Sequence, residues 1–210
     1  MLFYFKKYST KEYLMKKAIV GLSGVGTSSV SKELARILGY SEKNIFSIGD
    51  QFRVLAKERG FENDLARFRE IASRKGSDVD DIIDGRAGDF FQSNQDCIVE
   101  GRLAAFLAPP EASLILLRCD RRVSVQRVMD RDKGKPGYAT FEEAWQTITL
   151  REIEDRRRYL AKYGERAMNF DEPAFYEGFK IFDTTHPTIS EVAHQIAGYV
   201  KTKEIPTAIT

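Results

Sequence analysis

Apolar positions recur along the chain with two spacings. A short run, Ala18 to Val20, stops at Gly21; from Thr27 apolar residues return at Val30, Leu34, Ile37 and Leu38, the spacing of one helix face. The pair predicts a strand, a glycine-rich turn and a helix. Asn44 to Ile48 (NIFSI) predicts a second short strand ending at Gly49-Asp50, after which Phe52, Leu55 and Ala56 open another helical face. Glu62 to Arg74 and Asp78 to Phe91 are helical in period and rich in charge. Asp96 to Gly101 (DCIVEG) and Ala112 to Cys119 (ASLILLRC) are nearly unbroken apolar runs, as strands covered on both faces should be. Helices are predicted at Arg121 to Asp132, Phe141 to Tyr163 and Ser190 to Lys201, the last with Thr188 as its cap, and a final strand at Phe179 to Asp183. Strands alternating with helices predict a parallel sheet with helices on both faces, a three-layer α/β/α architecture.

Composition narrows this to one domain. The chain has 210 residues, 42% hydrophobic and 30% charged, and no apolar run approaches the ~20 residues that span a membrane. The expected layout is one domain over residues 15–205, with an insertion at about 49–95 and a short lid at about 127–150. Residues 1–14 (MLFYFKKYSTKEYL) are expected to be an N-terminal extension, because Met15 stands directly before the first strand and no small-residue cleavage site follows. Cys97 and Cys119 lie in apolar runs and are expected to be free thiols of a reducing compartment, hence a cytoplasmic protein. A net charge of +2 supplies no global field for gripping nucleic acid. More than half of the 33 basic residues are nevertheless arginine, whose planar guanidinium binds phosphate oxygens two at a time.

The glycine-rich turn carries the first chemistry. Gly21-x-x-x-x-Gly26-Thr27-Ser28 follows the phosphate-binding P-loop pattern in every position but one, with Thr27 where the pattern has lysine. Backbone N–H groups of such a turn, with the positive end of the following helix, hold the phosphates of a nucleotide, and Ser28 keeps the hydroxyl that would face its Mg2+. Three further clusters lie where loops after parallel strands reach the same sheet edge: Gly49-Asp50-Gln51-Phe52-Arg53, Glu100-Gly101-Arg102, and Arg151-x-x-x-Asp155-x-x-Arg158, whose spacing puts all three side chains on one helix face. Arginines from separate elements would converge there on an anion.

The segments GLSGVGTSSVSKELARIL, SIGDQFRVLAKERG, DVDDIIDGR, IVEGRLAAFLAP, VQRVMDRDKGK, REIEDRRRYLAKYG and FKIFDTT resemble, in order, those of the cytidylate kinases in their short archaeal form, from Lys16 to about Lys201. The resemblance implies a P-loop nucleoside monophosphate kinase that uses ATP and Mg2+ to phosphorylate CMP or dCMP. It implies that Gly21, Gly24, Gly26, Thr27, Ser28 and Ser29 cradle the ATP phosphates and that Asp50, Arg53 and Arg102 hold the acceptor. Arg151, Asp155 and Arg158 would reach the acceptor's phosphate and sugar, and Glu100 with Ser28 would face the metal through water. Arg127 and Arg131, flanking a lid loop at KGKPG, would close over the transferring phosphoryl and replace the missing lysine. Asp81, Asp84 and Arg86 resemble a family segment in the acceptor lobe. The protein is expected to act as a monomer on small nucleotides, without nucleic-acid or membrane partners. The residues alone leave open another small-molecule P-loop kinase, acting on AMP, UMP, shikimate or dephospho-coenzyme A, and a nucleotide-binding protein that lost catalysis with the lysine.

Overall fold

The computed structural model describes residues 16–133, 138–164 and 176–203. The expected extension at 1–14 and residues 134–137 of the expected lid loop lie outside the described residues. Five strands, β1 (Lys16–Val20), β2 (Ile45–Ser47), β3 (Cys97–Glu100), β4 (Ser113–Arg118) and β5 (Phe179–Asp183), form one parallel sheet in the order β2-β3-β1-β4-β5.

Side chains alternate across the sheet and so sort the core into two layers. Ile19, Ile98, Ile115 and Leu117 face α1 (Thr27–Leu38) and α8 (Ile189–Lys203), meeting Val30, Leu34, Val192 and Ile196. On the other face Ala18, Val20, Val99 and Leu116 meet Ala87 and Phe91 of α4 (Val79–Ser93) and Ala104 of the single-turn helix α5 (Ala104–Leu107). Each such fully buried Leu, Ile, Val or Phe contributes roughly 1.5 to 3 kcal/mol. The chain is thus a three-layer α/β/α protein.

β1 starts two residues earlier than its apolar run. Lys17 is 0% exposed, yet it stays in the strand because its ammonium donates to the Tyr40 hydroxyl at 2.6 Å, and that hydroxyl donates to Asp96 Oδ1 at 2.9 Å. β2 ends a residue earlier than expected. Ser47 Oγ accepts from Asp50 N at 3.1 Å and starts α2 (Ile48–Glu58), so the Gly49-Asp50 pair lies in a helix rather than a loop.

Between β2 and β3 the chain runs through α2, α3 (Leu65–Ala72) and α4, which bury a core of their own around Leu55, Phe68, Ala72, Val79 and Ile83. After β4, α6 (Arg121–Asp132) packs on α7 (Phe141–Tyr163) through Val125, Val128, Ala144 and Ile148. Asp120 Oδ1 caps α6, and Thr140 Oγ1 caps α7. At α8, Thr188 and Glu191 satisfy each other's backbone N–H groups. No described helix is long and apolar enough to cross a membrane. Cys97 is buried in β3, and burial pushes its thiol up to about 11; Cys119 lies beyond the end of β4 and is only partly covered.

Candidate active site

The turn after β1 is shaped by two left-handed glycines. Gly24 has φ +81° and Gly26 φ +96°, conformations that side chains rarely adopt. A Cβ on Gly24 would also lie 2.1 Å from the Ser124 carbonyl oxygen of α6. Gly26 is the N-cap of α1, and no side chain caps that terminus. Its N–H groups therefore keep their capacity for an anion.

Two clefts meet at this loop. One, of about 580 Å3, is lined by Gly24 to Val30 with Arg127, Arg131, Thr184, Pro187, Thr188, Ile189 and Val192. The other, of about 240 Å3, runs from Gly21, Ser23 and Gly24 to Arg53, Arg69, Glu100, Arg102, Arg151, Asp155 and Arg158. Gly24, Thr27, Ser28 and Arg131 belong to both. The loop is thus a partition with a chamber on either side, of which the first has the apolar wall suited to a base and the second is dominated by guanidinium groups.

Parallel strands deliver the second chamber's groups to one edge. Glu100, at the end of β3 and 3% exposed, accepts a hydrogen bond from Ser28 Oγ at 2.9 Å. Arg102 follows directly and donates to Asp155 and, at 2.7 Å, to Ser23 Oγ. From α7, Arg158 donates to Asp155 Oδ1 at 3.2 Å and lies 3.1 Å from Asp80 Oδ2. Asp155 thereby joins two arginines that are far apart in sequence. Arg151, one turn earlier on the same face, makes no hydrogen bond or ion pair among the described residues. Burial, then repulsion from Arg102 and Arg69, lowers its pKa to about 10. At neutral pH it is a charged, partly desolvated cation that forms no ion pair, with Asp155 as its attracting carboxylate.

Other expected residues sit elsewhere. Arg127 lines only the larger cleft, where its guanidinium donates to the Thr184 carbonyl at 2.7 Å and the Thr185 carbonyl at 3.3 Å. Gly26 and Ser29 likewise face the larger cleft. Asp50 is exposed and paired with Arg53, and only the latter lines the smaller cleft. Asp84 accepts from the Tyr163 hydroxyl and, at 3.2 Å, from Lys162, while Lys162 also pairs with Asp81 at 2.8 Å. Arg86 reaches Glu58 at 2.8 Å and Gln51 at 3.3 Å. None of Asp81, Asp84 and Arg86 lines either cleft; they fasten α4 to α2 and α7. Their place in the acceptor site is therefore not supported by the geometry: their charges are satisfied between helices.

Three participants escaped the sequence reading. Arg69 of α3 lines the smaller cleft. Glu152 accepts the backbone N–H of Ser23 at 3.2 Å and pairs with Arg121 at 2.9 Å. Thr184, 3% exposed, donates to the Val25 carbonyl at 2.9 Å and fastens the end of β5 to the loop. Of these Thr184 and Glu152 left a sequence trace, in the segments FKIFDTT and REIEDRRRYLAKYG, and Arg69 left none.

The parallel sheet, the glycine loop opening α1 and the arginine-lined cleft beyond it define a P-loop kinase of small molecules. A family model described as an AAA domain matches residues 18–155. The cytidylate kinase of Pyrobaculum neutrophilum is 32% identical over 189 residues, covering 88% of this chain and 92% of that protein. That of Methanococcoides burtonii is 37% identical over 145 residues, 69% of this chain and 76% of its own. The solved shikimate kinase of Bacteroides thetaiotaomicron shares the fold, with a TM-score of 0.54 at 14% identity over 89% of this chain and 98% of that one. The chain belongs to the cytidylate kinase family, and it is a phosphotransferase.

Proposed function

We propose that the protein transfers the γ-phosphoryl group of Mg-ATP to CMP or dCMP. The observation that carries this reading is the pair of clefts sharing Gly24, Thr27, Ser28 and Arg131, one with an apolar wall and the other ringed by Arg53, Arg102, Arg151 and Arg158. A protein that only held ATP would have no use for the second.

In this reading the donor's base lies against Ile189 and Val192, and its phosphates lie along Gly24 to Ser29 at the start of α1. The acceptor's phosphate lies among Arg102, Arg151 and Arg158. One of its oxygens forms a bond to the γ-phosphorus as the bond from that phosphorus to the bridging oxygen breaks, leaving ADP. Little covalent chemistry falls to the protein, which aligns the two oxygens and places positive charge around them. Ser28 and Glu100 offer adjacent hard oxygen donors, the ligand type that Mg2+ prefers, directly and through water. Bound there, Mg2+ would neutralise charge on the donor phosphates.

Thr27 brings no charge. Arg131 stands nearest to replacing the lysine, because it lines both clefts, is 62% exposed in its side chain and is held in its charged form by Asp132 beside it. Arg127 is committed to the carbonyls of Thr184 and Thr185 and is better placed to wall the donor's base.

The test is ADP formation by the purified protein with Mg-ATP and each of CMP, dCMP, UMP and AMP. CMP and dCMP should support turnover well above the other two. Turnover of AMP or UMP alone, or of none, overturns the proposal.

A further inference from the structure

Arg69 joins the acceptor cleft from α3, the middle helix of the segment between β2 and β3; Arg53 comes from α2 of the same segment and is paired with Asp50, whereas Arg102, Arg151 and Arg158 come from the end of β3 and from α7. Its neighbour Phe68 is fully buried in that segment's core, with Phe52 and Phe61 rings 4.9 and 5.6 Å from its own, so the base of Arg69 is fixed by packing. The guanidinium makes no hydrogen bond or ion pair among the described residues, yet it is partly withdrawn from water and lines the cleft. It also lies within electrostatic reach of Arg53, Arg102 and Arg151. Withdrawing a cation from water beside three others is unfavourable, and the attraction of Asp155 offsets it only in part.

A dianion arriving among these groups would reverse that balance. We infer that Arg69 is a further binding residue for the acceptor, donating to the oxygens of its phosphate. The inference rests on the phosphotransfer reading above. The desolvation that depresses the pKa of Arg69 is the same imbalance seen at Arg151, and both cations stay charged at neutral pH. Arg151 would reach the anion from α7 and Arg69 from α3.

Calorimetry on the full chain separates phosphate recognition from a structural role. Arg69→Ala should bind CMP about tenfold to a hundredfold more weakly than the wild type, as expected for one charge-assisted hydrogen bond. Cytidine, which lacks the phosphate, should bind both alike, and Arg69→Lys should recover part of the loss. In steady state KM for CMP should rise by the same factor with KM for ATP unchanged. The melting temperature of nucleotide-free Arg69→Ala should equal or exceed that of the wild type, since a charge whose burial outweighs its attraction to Asp155 has been removed. Unchanged CMP affinity, or equal losses for CMP and cytidine, overturns the inference. Should the wild type bind no nucleoside monophosphate, the functional reading fails, and inorganic phosphate then decides the arginine's role. A thermal shift by phosphate in the wild type that is absent from Arg69→Ala supports it, and equal shifts overturn it.

Discussion

The backbone N–H of Ser23 donates to Glu152 Oε1 at 3.2 Å, so a carboxylate of α7 holds the phosphate loop from the side of the acceptor cleft. The same carboxylate pairs with Arg121 at 2.9 Å and lies 3.9 Å from Arg102, all three side chains being mostly covered. Removing it leaves the part-buried Arg121 without its carboxylate and Arg102 with Asp155 alone. Glu152→Ala should cost about 1 to 3 kcal/mol of folding stability, with Glu152→Gln losing less because it keeps an acceptor for Ser23. Urea unfolding of the nucleotide-free protein measures this; midpoints equal to wild type would show that the contact adds nothing.

Arg151 gives a pH dependence with a definite sign. Its pKa in the folded protein, about 10, lies below the ordinary arginine value, so the unfolded chain holds the proton more tightly. The cost of keeping it charged is fully present below pH 10 and is relieved as the pH rises from about 10 towards that ordinary value. Arg151→Met should therefore stabilise the nucleotide-free protein at pH 7 to 8 by on the order of 1 kcal/mol, while lowering kcat/KM for CMP a hundredfold or more. In the wild type, CMP affinity should fall as pH rises through about 10, and that inflection should vanish in the variant. Thermal melts and a binding series in pH read the two effects.

Glu100 and Ser28 are expected to act together on the metal. Glu100→Gln preserves shape but removes charge, and should raise the Mg2+ concentration for half-maximal rate about tenfold while lowering kcat roughly a hundredfold. Ser28→Ala should resemble it. A Mg2+ titration of rate in which both variants follow the wild-type curve would remove these residues from the metal site.

The lysine replacement divides the two arginines of α6. Arg131→Ala should lower kcat about a hundredfold with little change in KM for CMP, and Arg127→Ala should act chiefly by raising KM for ATP. Near-normal kcat in both would refute the idea that α6 compensates for Thr27.

The strand and helix order was readable because both periods are strong wherever an element is buried on one side or two. Ala18 to Val20, the run ASLILLRC and the face Val30–Leu34 each lie where their spacing put them. Boundaries moved where a polar side chain found a partner outside its own element. Lys17 entered β1 through Tyr40, and Ser47 turned Gly49-Asp50 into the first turn of α2. Among site residues, Glu100 and Arg102 after β3, Arg53 after β2 and the arginine face of α7 converged, whereas Asp50 stayed exposed beside Arg53. Arg69 was illegible since α3, charged on most of its surface, has no pattern that marks which of its charges turns inward. Asp84 and Arg86 match a family segment and pair with Tyr163, Lys162 and Glu58.

The approach of Gly24 to the Ser124 carbonyl leaves no room for even a methyl group between the phosphate loop and α6. Any side chain there would force the two backbones apart. The helix bearing Arg127 and Arg131 is thus keyed to the loop like a bolt in its strike plate, so helix and loop cannot slide past each other at the helix's root.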